Sequence, residues 1–426
     1  MKRYTIPEWG YLEIAEDGRP EAIPRRAANE LLAAVREAGF GQDGEQVLFD
    51  GHRRLRAQQV VGVIAAPHAR LEILPKIDGL DEGATRRFLV HMLAKVFDLD
   101  VNAGRTAQLG WQRLDLLEIV IRGFCERLFE AVRRGLPRRY LELDDDLKAL
   151  RGRLDVKRQF TALLTSPQLV ACRYDELGPD IALNQIMKAA VGALLRVSRS
   201  EENQRLLREL SLTFVDVRTV PIAQLPWGQV VLDRSNQAWA GLVAMAKFLL
   251  RRRYQTTSEG EQQGLSLLFP MNTLFEEYIG RGMRAAIQRP SVGVKLQGPR
   301  DFVLRDESGA QRFATKPDIA VFVSGKASLI IDTKWKRLSA RLDDAKQGVS
   351  QSDVYQMLAY ARVYGIQRLL LLYPHHDGLN TTEGILSRFR FRGDDIVELC
   401  IGTVRVAAPQ LEERLRLLAT STGALD

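Results

Sequence analysis

Three residues have types and spacing that could do chemistry together: Asp318, Asp332 and Lys334, in the stretch KPDIAVFVSGKASLIIDTK at 316–334. Two apolar runs flank Ser324-Gly325-Lys326, a pattern that predicts a β-hairpin. With the turn centred on Gly325, residues equally distant from it face each other, as Asp318 and Asp332 are. Strand alternation then places Asp318, Asp332 and Lys334 on one face. Two carboxylates meeting at the end of a buried hairpin repel unless a cation lies between them. A hard divalent ion such as Mg2+ prefers oxygen ligands, retains waters for a phosphate substrate and lowers the pKa of a bound water. Lys334 would set an ammonium near that water or near the scissile phosphate. The implied chemistry is phosphodiester hydrolysis. The competing reading is a surface hairpin with charges on its wet face. Against it, Leu329-Ile330-Ile331 directly before Asp332 implies a central strand, where unpaired charge is rare.

The elements that must position these residues divide the chain into three expected regions of a mixed α/β protein. Residues 1–105 read as a β-rich N-terminal domain, with strands at 60–66 and 71–75 joined by a turn at Pro67-His68 and a helix at 28–38. Residues 106–262 read as mainly helical, with apolar residues every three or four positions at 116–132, and further helices at 184–197, 201–210 and 235–251. There, Asp144-Asp145-Asp146 reads as a loop leading into a short strand at 150–154. The polar stretch 255–263 is the expected linker. Residues 263–426 give a helix at 272–287, strands near 294–296, 302–305, 313–323 and 328–335, a helix at 353–364, and a buried strand at 369–373.

Composition bounds the class of molecule. A chain of 426 residues, 46% hydrophobic and 27% charged, is long enough for two or three globular domains. Neither a secretory h-region at the start nor an apolar run long enough to span a bilayer is present, so a cytoplasmic protein without membrane contact is expected. Cys125, Cys172 and Cys400 form no CxxC pair, which fits a reducing compartment and argues against a zinc ribbon. The formal charge of +8 is compatible with a polyanionic partner.

Other candidates carry less. Arg388, Arg390 and Arg392 alternate with Phe389 and Phe391; as a strand this would bury both rings and align three guanidinium groups, for phosphate contact or as a solvated edge. His375-His376-Asp377 lacks a third metal ligand at sensible spacing and reads as a loop. Ser324-Gly325-Lys326 lacks the earlier glycine and the following hydroxyl of a P-loop. No other segment supplies one, so NTP hydrolysis is not expected of this chain.

The Pro317-Asp318…Asp332-Thr333-Lys334 series resembles the PD-(D/E)xK nuclease motif, on a helix–strands–helix–strand order that matches that fold. Gln356 and Tyr360 share a helix face and are similar to the Q-x-x-x-Y feature of RecB-like members. Phe269-Pro270-Met271-Asn272-Thr273-Leu274-Phe275-Glu276-Glu277-Tyr278 resembles the opening helix of the McrC family, the nuclease subunits of McrBC modification-dependent (type IV) restriction systems. Val61-Gly62-Val63-Ile64, Leu71-Glu72-Ile73-Leu74-Pro75-Lys76-Ile77 and Cys172-Arg173-Tyr174-Asp175-Glu176-Leu177 also look like that family, as does Leu183-Asn184-Gln185-Ile186-Met187-Lys188.

The resemblance implies that Asp318 and Asp332 bind Mg2+, that Lys334 assists the water, that Glu276 adds a carboxylate and that Gln356 orients the site. Glu277 adjoins Glu276, and the sequence leaves open which of the two faces inward. It further implies action on double-stranded DNA, leaving 5′-phosphate ends. The implied partner is a McrB-like AAA+ GTPase ring, on which the N-terminal half would dock and whose GTPase it would stimulate. A stand-alone RecB-like repair nuclease and a non-catalytic activator of an NTPase are the alternatives.

Overall fold

The computed structural model describes residues 2–17, 19, 21–37, 47–97, 116–166, 168–234, 236–251, 265–339 and 348–425. The expected linker at 255–263 lies outside them. The chain forms two compact units: Met1–Arg36, Phe40–Asp98 and Leu268–Asp426 make the first, and Glu37–Gly39 with Leu99–Leu267 the second. The first unit thus draws on both ends of the chain.

Its N-terminal part contains β1 (Lys2–Pro7), β2 (Tyr11–Ile14), β3 (Ala22–Ile23), α1 (Arg25–Glu37), β4 (Leu48–Asp50), β5 (Arg54–Ala57), β6 (Val60–Ala65), β7 (Ala69–Leu74) and α2 (Glu82–Val96). The turn at Pro67-His68 is present, closed by the Ala66 N–H donating to the Ala69 carbonyl at 2.8 Å. Strands β6 and β7 are buried at every position because both faces are covered. On α1, Ala28, Leu31 and Val35 fall on one stripe and enter a core with Ile23, Leu55, Ile64, Leu71 and Ile73. Asp81 caps α2, accepting from the Ala84 N–H at 2.7 Å.

The second unit holds α3 (Leu116–Arg133), β8 (Arg139–Leu147), β9 (Arg153–Leu154), α4 (Val156–Gln159), β10 (Val170–Gly178), α5 (Ala182–Val197), α6 (Glu201–Thr213) and α7 (Ala240–Arg251). Its sheet has the order β8-β10-β9. The reading of Asp144-Asp145-Asp146 as a loop is corrected here: all three lie in β8, paired with β10. Aspartates are poor strand formers, but cations and a hydroxyl meet them. Arg173 on β10 reaches Asp144 at 2.8 Å, Tyr174 donates to Asp145 at 2.7 Å, and Arg158 pairs with Asp146. Cross-strand context outweighs propensity.

The C-terminal part of the first unit begins within β11 (Leu265–Pro270) and continues with α8 (Met271–Ala286), β12 (Val292–Leu296), β13 (Asp301–Arg305), β14 (Gln311–Thr315), β15 (Ile319–Val323), β16 (Lys326–Thr333), α9 (Gln351–Tyr364), β17 (Arg368–Pro374), β18 (Gly384–Phe391), β19 (Asp394–Val404) and α10 (Leu411–Ser421). Six strands form one sheet in the order β12-β15-β16-β17-β19-β18. Strand β17 pairs in parallel with β16 and β19, and its Leu369–Leu372 run is fully buried, each side chain contributing about 2 kcal/mol. Alternate residues feed opposite faces. Ile330, Leu369, Leu371 and Tyr373 pack with Met357 and Tyr360 of α9, while a Cβ placed on Gly402 would meet Leu370 and Leu418 of α10 on the other side.

The strand expected at 313–323 is two strands. Pro317 supplies no N–H to a ladder, and β14 pairs with β13 in a hairpin of its own. Of the two readings of Arg388–Arg392, the structure gives the edge strand, and only the burial of both rings is corrected. The strand lies on the sheet edge with bulges, and Phe389 is 49% exposed rather than buried. Among the described residues, no helix is long and apolar enough to cross a membrane.

Candidate active site

The hairpin of β15 and β16 turns on Ser324 and Gly325, with φ of 51° and 82°. Left-handed backbone at both central positions is what a two-residue type I′ turn requires, and glycine enters it without strain. The turn therefore lies between Ser324 and Gly325 rather than on Gly325. Near the tip the pairs are Val323↔Lys326 and Phe322↔Ala327; beyond a one-residue bulge they become Val321↔Leu329, Ala320↔Ile330 and Ile319↔Ile331. The bulge restores the symmetry about Gly325 and so brings Asp318, just outside β15, to the level of Asp332.

Asp318 is fixed by the neighbouring strand: its Oδ2 accepts from the Thr333 N–H at 2.8 Å and the Thr333 hydroxyl at 2.9 Å. Asp332 is 1% exposed and lies beside Leu371 of the parallel strand β17. Lys334 Nζ is 2.7 Å from Asp332 Oδ2 and 3.8 Å from Asp353 Oδ1, and donates to Gln356 Oε1 at 3.1 Å. Gln356 Nε2 in turn donates to the Tyr360 hydroxyl at 2.7 Å. The i,i+4 pair on α9 thus clamps the lysine head.

Glu276, on the first turns of α8, faces this group, whereas Glu277 pairs with Arg281 at 3.5 Å. Burial, then the charge and hydrogen bond of Asp318, push Glu276 up to about 8. Burial and the Asp318 charge likewise push Asp332 up to about 6, against the pull of Lys334. Burial disfavours the Lys334 ammonium, but Asp332, Asp353 and Asp318 outweigh it and hold it protonated. The cluster is short of positive charge.

The donor set fits a hard divalent cation. Three carboxyls converge, and Asp332 Oδ2 is buried without an aligned hydrogen bond. As they stand, Asp318 is committed to Thr333 and Asp332 to Lys334. Among the described residues, no three His, Cys, Asp or Glu side chains are already arranged as a metal cage.

The five residues singled out from sequence, Glu276, Asp318, Asp332, Lys334 and Gln356, are therefore brought into one network. His375 and His376 are not part of it: His375 bonds Thr403 at 2.9 Å and His376 the Leu338 carbonyl at 3.0 Å. Sequence reasoning missed Asp353, 5% exposed and 3.0 Å from Lys336. Its position three residues before Gln356 on the same helix face was the available signal. It also missed Glu8 and Gln59, which reach this strand end from N-terminal segments just outside β1 and β6. The Trp335 indole donates to Glu8 Oε1 at 2.7 Å, and Gln59 Nε2 donates to the Trp335 carbonyl at 2.8 Å and to Asn272 Oδ1 at 3.1 Å.

Fold and site together define a mixed α/β protein with a buried carboxylate–lysine cluster at the end of a central strand. The family model described as McrBC 5-methylcytosine restriction system component matches residues 55–374, and the chain belongs to that family. Among solved structures it is similar to a chain of the refined half-complex from a tetradecameric assembly of Thermococcus gammatolerans McrB AAA+ hexamers with bound McrC. The identity is 21%, covering 98% of this chain and 99% of that one, with a TM-score of 0.65. It is also similar to a chain of the Thermococcus gammatolerans McrBC complex, at 22% identity over 67% of this chain and 88% of that one, TM-score 0.52. A search of curated proteins found no match.

Proposed function

We propose that this chain is the nuclease subunit of a McrBC-type modification-dependent restriction system, hydrolysing phosphodiester bonds of double-stranded DNA. The observation that carries the reading is the charge imbalance of the cluster: Glu276, Asp318 and Asp332 converge, with Lys334 as the ion-pair partner of Asp332. Asp318, Asp332 and Glu276 would hold Mg2+, which supplies Lewis-acid activation of water and positive charge for the phosphate. Lys334, kept protonated by its neighbours, acts as a cation toward the phosphate or the attacking water and not as a base. Gln356 aims that ammonium and Tyr360 aims Gln356, while Thr333 holds Asp318 in place. Preorganised charge of this kind spares the reaction the work of reorienting solvent.

Family membership, and the McrB AAA+ hexamers present in the similar Thermococcus assembly, support action with an AAA+ GTPase ring. The N-terminal region would dock on that ring and stimulate its GTPase. The sequence carries no P-loop, which leaves nucleotide hydrolysis to the partner.

The test is cleavage of DNA containing 5-methylcytosine, with Mg2+, with and without an AAA+ GTPase encoded beside this chain. Asp332→Ala and Lys334→Ala are expected to lose cutting while still stimulating GTP hydrolysis. Retained cutting by Asp332→Ala would end the nuclease reading. Cutting at a rate no GTPase alters would point to a stand-alone nuclease, and restriction lost only on N-terminal changes to a non-catalytic activator.

A further inference from the structure

Within the first unit a cleft of about 410 Å³ is lined by Glu8, Trp9, Lys76, Trp335, Lys336, His375 and His376, among others. That volume falls in the range of small-ligand sites, about 300–1,000 Å³. Trp335 and Lys336 directly follow Lys334 in sequence, and Lys334 and Lys336 both reach Asp353, at 3.8 and 3.0 Å. Cleft and acidic cluster therefore share a strand end and a carboxylate.

Three observations about its wall point to a ligand. Glu8 Oε2 and His376 Nδ1 are buried without a hydrogen-bond partner. Yet Glu8 Oε1 is bonded to the Trp335 indole and the Lys76 N–H, and His376 Nε2 to the Leu338 carbonyl. Each side chain is thus fixed through one atom and offers the other. A purely structural role for Glu8 explains its Oε1 and not its Oε2, since unsatisfied buried polar atoms are few in folded proteins. Second, Trp9 holds φ at 61°, a region that bulky residues rarely enter, in a turn closed by the Gly10 N–H on the Pro7 carbonyl. The indole stays 45% exposed. Third, Lys76 and Lys336 are exposed beside these rings.

We propose that this cleft takes one nucleobase of the DNA strand, extruded from its stack beside the phosphate held at the acidic cluster. The inference rests on the nuclease reading for where the strand lies. An aromatic face suits a planar base. A carboxylate oxygen and an imidazole nitrogen suit its N–H and ring-nitrogen edges, and lysines suit its flanking phosphates. A base must leave the duplex to reach such a pocket.

The test uses the full chain carrying Asp332→Ala, so that strands stay intact, and the anisotropy of a short fluorescein-labelled oligothymidylate. Trp9→Ala, Lys76→Ala and Glu8→Gln added to that background are expected to weaken binding about fivefold or more. Trp9→Ala and Lys76→Ala remove exposed side chains and are expected to leave the melting temperature unchanged. Unchanged affinity in Trp9→Ala and Lys76→Ala would overturn the proposal. With an abasic strand of equal length the Trp9→Ala loss should vanish; if it persists, the contact is to the backbone and the base reading fails. Thymidine monophosphate competing as well as the strand would reassign the cleft to free nucleotides and overturn the strand reading. Should the otherwise unaltered Asp332→Ala chain still cut DNA, the nuclease reading fails by itself, because the anisotropy comparison does not depend on cutting.

Discussion

Two buried carboxylates in the first unit make an instructive pair. Glu72 on β7 and Asp332 on β16 are both at most 1% exposed, Glu72 in the middle of an apolar strand and Asp332 near the end of one. Glu72 is met by Arg3 at 2.6 Å and by Arg86 through two bonds at 2.8 and 2.6 Å. Burial pushes its carboxyl up, but the two guanidinium groups outweigh burial and hold it below the usual range. Asp332 has one ammonium, and Asp318 and Asp353 add like charge; its carboxyl is pushed up to about 6. Equal burial with opposite outcomes shows that the balance of neighbouring charge, and not burial, decides how each carboxyl titrates; the shortfall of positive charge at Asp332 is what the proposed cation would fill.

The contrast can be broken most decisively by deleting each carboxylate. Asp332→Ala is expected to lower DNA cleavage by about a thousandfold or more while leaving metal-free stability equal or higher, since it removes repulsion. Cleavage kinetics and thermal melting check both halves. Glu72→Ala should do the reverse. It leaves two arginines without their anion and costs about 2–4 kcal/mol in urea melts, less than for a fully buried pair because the Arg3 side chain is 39% exposed.

Adding Mg2+ sharpens the comparison. At ten to a hundred times its Kd it should stabilise the native chain by about 1.5–3 kcal/mol, and Asp318→Ala or Asp332→Ala by much less; an equal gain in the variants would place the ion elsewhere. Acid distinguishes the sites further. Glu72 titrates lower in the folded chain than in the unfolded one, so its contribution is fully present above about pH 4.5 and is lost as pH falls through the folded value. The melting difference between the native chain and Glu72→Gln should shrink across that window. The smallest effect is the control: Arg26 pairs with Glu30 at 3.2 Å but is 74% exposed, and Arg26→Ala should cost under about 0.5 kcal/mol.

What was legible in the sequence follows from local periodicity. The two-fold alternation around Ser324-Gly325 pointed to the hairpin, its facing aspartates and Lys334, and the four-residue spacing of Gln356 and Tyr360 gave the clamp. The helices at 116–133, 182–197 and 201–213 were readable for the same reason, through a 3.6-residue stripe. Three kinds of feature were not. Asp144–Asp146 form strand because Arg173, Tyr174 and Arg158 meet them from elsewhere, which no window along β8 contains. The bulge in β16 changes no residue type, only the pairing. Glu8 and Gln59 join Trp335 across 327 and 276 positions, and a polar residue in a turn or strand gives no sign of such a partner.

The one-residue bulge is also the place where this hairpin can change length by one. Deleting Ser328 would remove the extra residue and leave a regular ladder in which Leu329 still faces Val321 and Asp332 still lies level with Asp318. A single deletion between Leu329 and Asp332, with the bulge kept, would instead set Thr333 level with Asp318 and turn Asp332 and Lys334 to the opposite face of the sheet. Natural single-residue length variation in β16 should therefore fall at Ser328, and elsewhere in the strand come in twos or be matched by a second change on β15.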